Sequence, residues 1–124
     1  MQVTGTRQRE AWLAREFPPV EKVTSGIWSI PVPIPDSPLR YVLSYLIEHD
    51  SGFLMVDTGW NHPESWRVLQ AGLAECEIPM AAITAVVITH VHPDHHGLTE
   101  GQGRYQGDQE SLQGIPEEPA QAGP

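Results

Sequence analysis

Cysteine is almost absent: Cys76 is the one thiol in 124 residues, so no internal disulfide can form and the core has to hold the fold. Positive charge is scarce as well. Seven Lys and Arg stand against sixteen Asp and Glu, for a formal net charge of −9, and no basic stripe is left that could neutralise a phosphate backbone. Nucleic acid is disfavoured as an electrostatic partner. No stretch approaches the roughly 18 uninterrupted apolar residues of a spanning helix. Arg7, Arg9, Glu10, Arg15, Glu16, Glu21 and Lys22 leave no room near the start for the apolar region of an export signal. These absences predict a cytoplasmic protein with no membrane partner, while 40% apolar content is ordinary for a folded domain.

What is present reads as alternating elements. Gln8 to Phe17 suits a short helix or ordered arm that Pro18-Pro19 ends. The run Ile27-Trp28-Ser29-Ile30 reads as a strand, and Pro31, Pro33, Pro35 and Pro38 then require a loop or a sheet edge, because proline donates nothing to a ladder. Tyr41 to Ile47 is the next strand. After the turn at Glu48 to Gly52, Phe53 to Val56 is apolar throughout, as in a strand covered on both faces. Asn61, with Glu64 three residues on and Pro63 in the first turn, resembles a capping box opening a helix. Trp66, Leu69, Leu73 and Cys76 line one side of that helix, where Cys76 is expected to be a small buried hydrophobe. Ile78-Pro79 closes it, and Ala85 to Ile88 predicts a second central strand. The sum is an α/β fold with a mixed sheet covered on both faces.

Three segments follow: an arm or short helix over 1–19, a domain over 20–100, and a tail over 101–124. Gly, Gln and Pro make up 13 of the 24 tail residues, and glycines interrupt its only apolar spacing, Leu98, Tyr105 and Leu112. That composition predicts disorder.

Chemistry concentrates where the last strand ends. His90, His92, His95 and His96 fall within seven residues, with Asp94 among them. In an extended segment alternate side chains point the same way, so His90 and His92 can meet on one metal ion. Pro93 forces a bend, so Asp94 and His95 can hold a second ion beside the first. Gly97 lets the backbone turn beneath. Taken singly, His49 in a turn and His62 at a helix start read as solvated surface, and Trp60 and Trp66 as core.

The string His90-Val91-His92-Pro93-Asp94-His95-His96-Gly97 resembles the H-x-H-x-D-H signature of the metallo-β-lactamase fold superfamily, including its glyoxalase-II-like hydrolases. Val56-Asp57-Thr58-Gly59 is similar to the short turn before that family's first helix. The resemblance covers about residues 24 to 100. It implies an αββα sandwich of which this chain holds the first half. It further implies His90 and His92 on one metal, Asp94 and His95 on the other, and Asp57 holding ligands or water without coordinating. His96 falls on a variable position. Zinc is the implied cofactor, two ions in the intact fold, with iron or manganese accepted by the same donors. Two such ions about 3.5 to 4 Å apart generate a hydroxide from bound water. Asp94 would steer it onto a small-molecule ester, thioester, lactone, lactam or phosphodiester.

The same resemblance predicts further histidines and a bridging acid downstream, yet none of the six histidines lies beyond His96. Two protein ligands per ion is fewer than the three or four zinc normally keeps. The expectation is therefore a partial domain, weakly active or inactive, with residues from about Gly101 an out-of-frame or unrelated ending. The alternative is a non-catalytic metal-binding module, or a site completed across a dimer. An uncovered apolar sheet face, including Phe53 to Val56 and Ala85 to Ile88, predicts self-association.

Overall fold

A computed structural model describes residues 2–90, 92, 94–95 and 97–99. Along the chain run helix α1 (Thr6–Leu13), strands β1 (Glu21–Thr24), β2 (Ile27–Pro33), β3 (Tyr41–His49) and β4 (Gly52–Val56), helix α2 (Pro63–Glu75), a 3-10 turn (Met80–Ala82) and strand β5 (Ile83–Val87). The strands form one sheet in chain order. β1 to β4 are antiparallel neighbours, and α2 carries the chain over so that β5 joins β4 in parallel. Apart from β1, which was not expected, that mixed α/β order is the predicted one, and among the described residues no helix is long and apolar enough to cross a membrane.

The core lies between α2 and one face of the sheet. Trp66, Leu69 and Leu73 of α2 pack on Ile30 and Val32 of β2, Val42 and Leu46 of β3 and Met55 of β4, all less than a tenth exposed. The three-and-four spacing puts these α2 residues on one stripe, and the two-residue period of the strands turns alternate side chains towards it. Closeness matters at Gly72, where a Cβ would come within 2.5 Å of Ile30 Cγ2. Ser65 Oγ donates to the Pro33 carbonyl at 2.7 Å and ties the start of the helix to the end of β2.

The other face is covered in part. α1 lies across β1 and β2, held mainly by polar contacts: buried Gln8 donates from its amide side chain to the carbonyls of Pro19 and Ser29, both at 3.0 Å, and from its backbone to the Glu21 carboxylate at 2.9 Å. Beyond that reach, the pairings Tyr45 with Val56, Ile47 with Leu54, Leu54 with Ala85 and Val56 with Val87 define an apolar surface. It is half-buried to exposed. Among the described residues the expected cover on both faces is therefore found only around β2, because α2 is the one long helix there and it serves the opposite side.

Four local expectations are corrected. β5 runs from Ile83 to Val87 and pairs with β4 alone among the described residues, so the strand predicted as central at Ala85 to Ile88 is an edge, with Val87 45% exposed. Pro31 and Pro33 belong to β2 itself and pair with Leu43 and Tyr41, while β1, which starts at Glu21 opposite Ser29 and runs back towards Ile27, reaches no further along β2. Past that point β2 is locally an edge, where a missing N–H costs no ladder bond. The α2 cap is His62 rather than Asn61: its Nδ1 accepts from the Glu64 amide at 3.1 Å, and Glu64 turns to Arg67. α1 ends at Leu13, leaving Trp12, Leu13 and Phe17 more than half exposed. The tail over 101–124, Pro93 and its expected bend, and His96 lie outside the described residues.

Candidate metal centre

The site is built at the adjoining ends of β4 and β5. Directly after β4, Asp57 takes φ 61°, a left-handed conformation that Asp tolerates better than most residues. Both of its backbone polar groups are held: the N–H donates to the Val87 carbonyl at 2.8 Å, and the carbonyl accepts from Ser44 Oγ at 2.7 Å. The side chain is buried and points at the other strand end. Oδ1 accepts from the Thr89 amide, and Oδ2 from the Thr89 hydroxyl and His95 Nδ1, each at 2.8 Å. Burial alone would push this carboxyl up, but the Thr89 amide, the His95 ring and the Thr89 hydroxyl together hold it below the ordinary carboxylate value. Asp57 is thus ionised and acts only as an acceptor.

After β5 the chain bends back over this carboxylate. The ring of His90 lies 4.6 Å from that of His92 and 3.9 Å from that of His95, centre to centre. Thr58 fixes the segment by donating from its amide and its hydroxyl to the His95 carbonyl, at 2.7 and 3.1 Å. Leu98 then plugs the core, its amide bound to Thr58 Oγ1 at 3.2 Å. Residues 94–95 and 97–99 are helical. A Cβ at Gly97 would approach the Asn61 amide nitrogen to 2.5 Å and the Gly59 carbonyl to 2.8 Å. Glycine is needed there so that this helix can lie against the 59–61 loop, rather than for the tight turn expected from sequence.

The structure thus brings Asp57, His90, His92, Asp94 and His95 into one corner. His49 stays apart, exposed and 2.8 Å from Thr84 Oγ1, and His62 caps α2. Trp66 is core, and Trp60 packs against the core. Thr58 and Thr89 escaped the reading of the sequence. Their only signal was position, one directly after Asp57 and the other directly before His90.

Zinc and related cations suit this donor set in kind. With His95 Nδ1 given to an ionised Asp57, the Nε2 edge of the ring lies 3.3 Å from Asp94 Oδ2. A lone pair and a carboxylate oxygen that close repel unless positive charge joins them, and either a proton on Nε2 or a metal cation held between imidazole and carboxylate supplies it. His90 and His92 provide two more imidazoles alongside. In number the set is short: among the described residues no group of three or more His, Cys, Asp or Glu is arranged to hold one ion.

The fold and this corner together define the class. The model of the metallo-beta-lactamase superfamily matches residues 37–101, more than half of the chain, and the chain belongs to that superfamily. Its members bind metal ions, generally zinc. Among curated proteins it is 36% identical over 77 residues to Probable metallo-hydrolase YqjP of Bacillus subtilis, a match covering 62% of this chain and 24% of that protein. Among solved structures, the metallo-beta-lactamase family protein TTHA1429 of Thermus thermophilus aligns with TM-score 0.60 and 29% identity, over 82% of this chain and 36% of that one. The metallo-beta-lactamase GOB-18 of Elizabethkingia meningoseptica shares the fold at TM-score 0.56 and 19% identity, over 71% of this chain and 29% of that one. The chain therefore spans about a quarter to a third of these relatives.

Proposed function

We propose that the corner at the ends of β4 and β5 is the metal-binding half of a hydrolase centre, with His90 and His92 holding one ion and Asp94 and His95 the other. The reading rests on one observation: the Asp57 carboxylate takes Nδ1 of His95, so the opposite edge of that ring faces the Asp94 carboxylate. Zinc bound there would lower the pKa of a coordinated water towards about 7 and supply the nucleophile. The residues do the rest. Asp57 fixes the orientation of His95, Thr58 anchors its backbone, and Asp94, partly exposed at the surface of the corner, accepts a proton or orients a water for attack on a small-molecule ester, thioester, lactone, lactam or phosphodiester. A net negative chain does not oppose a phosphodiester substrate at such a centre, because the cation brings its own field.

A second reading, metal capture without turnover, is favoured by the count of donors. Two described ligands per ion hold a cation less firmly than the three or four of a closed site. Elemental analysis of the purified chain, combined with turnover of ester and phosphodiester substrates, separates the two. About two zinc per chain with turnover that Asp94→Ala abolishes supports the hydrolase. One ion or fewer without turnover supports capture, and full activity in Asp94→Ala would remove Asp94 from the proposed role.

A further inference from the structure

We infer that the Thr89 hydroxyl is a positioning group common to both halves of the centre: it selects which ring nitrogen His90 leaves free and, through Asp57, steadies the choice made by His95. The inference rests on the hydrogen-bond inventory of four atoms. Thr89 Oγ1 has one hydrogen, which it donates to Asp57 Oδ2 at 2.8 Å. His90 Nδ1 lies 3.0 Å from the same hydroxyl oxygen. With its proton already given to Asp57, the hydroxyl can only accept from His90, so that contact is bonding only if His90 carries its hydrogen on Nδ1. His95 Nδ1, also 2.8 Å from Oδ2, must donate for the same reason. One continuous chain results, from His90 Nδ1–H to Thr89 Oγ1–H to Asp57 Oδ2, met from the far side by His95 Nδ1–H. Both rings then keep Nε2 as the lone-pair nitrogen. The reverse tautomer of His90 would set lone pair against lone pair at hydrogen-bond distance.

The hydroxyl is separable from the rest of the residue, because the Thr89 amide holds Asp57 Oδ1 whatever the side chain is. Thr89→Val keeps the branched shape and loses the chain; Thr89→Ser keeps the chain and loses a methyl. Nitrogen-detected NMR of the full chain, free of metal and above the ordinary histidine range near pH 6.5, reads the His90 tautomer directly. We expect Nδ1–H on His90 in the wild type and in Thr89→Ser, and a shift towards Nε2–H in Thr89→Val. Zinc titration, which rests on the metal-centre reading, should weaken about 10- to 100-fold in Thr89→Val and stay near wild type in Thr89→Ser. A wild-type His90 carrying Nε2–H overturns the inference, even if Thr89→Val fails to fold by circular dichroism. An unchanged tautomer and zinc affinity in a folded Thr89→Val overturns it too. Wild-type protein that binds no zinc defeats the metal-centre reading instead, and leaves the tautomer measurement to decide the role of Thr89.

Discussion

Asp57 is the residue on which the corner turns, since three hydrogen bonds from two distant residues end on its two oxygens. Asp57→Asn keeps the outline but replaces one acceptor oxygen by a donor, so at least one of those partners loses its acceptor, and two do if the nitrogen takes the place of Oδ2. The expected cost is about 1 to 3 kcal/mol in urea denaturation, with zinc affinity falling about 10- to 100-fold. Stability unchanged within error would show that the network is not formed in solution. Cys76, the lone thiol, is set differently: burial, with Glu75 adding to it, pushes it up to about 11. Alkylation by iodoacetamide should be slow at neutral pH and keep accelerating towards about pH 11, whereas an ordinary cysteine levels off above roughly pH 8.5. A plateau near the ordinary value would contradict the burial. At this scale the sequence disclosed the His90-to-His95 string, whose members are near neighbours along the chain. It hid the grip of Thr89 on Asp57, because the two are brought together only by the parallel pairing of β4 and β5.

Between elements, the contact of α2 with β2 is decided by size. Gly72→Ala would raise helix propensity by up to about 1 kcal/mol, yet the added methyl meets Ile30 Cγ2 at 2.5 Å, and such overpacking costs typically about 1 to 3 kcal/mol. Net destabilisation is expected in a thermal melt; a stabilised Gly72→Ala would mean that α2 sits farther from the sheet. The apolar stripe of α2 and the strands β3 and β4 were legible, because each repeats its natural period over several residues. β1 was not, being four residues long with Glu21 and Lys22 in it. Nor was the place of Pro31 and Pro33 within β2, which depends on how far β1 runs beside them. The misjudged position of β5 has the same origin: an apolar run states that a strand has something to bury, and is silent on how many neighbours it meets.

Across the whole molecule, one face of the sheet is closed by α2 and the other is left partly open from Tyr45 to Val87. A chain covering 24% of its curated relative and 36% of a structural one carries the apolar side of a two-layer fold without a second sheet among its described residues. Sedimentation velocity should find mass rising with concentration, and Val87→Lys, at the exposed large apolar side chain of that face, should shift the distribution towards monomer. A single monomeric species at every concentration would count against self-association. The parallel docking of β5 has a further result in time. The bonds that orient His95 join it to Asp57 and Thr58, residues synthesised long before it, so no fragment ending short of His95 can assemble the corner. On the metal-centre reading, uptake of a metal ion by a growing polypeptide begins only when the fifth strand has found its neighbour, and would time that last step of folding.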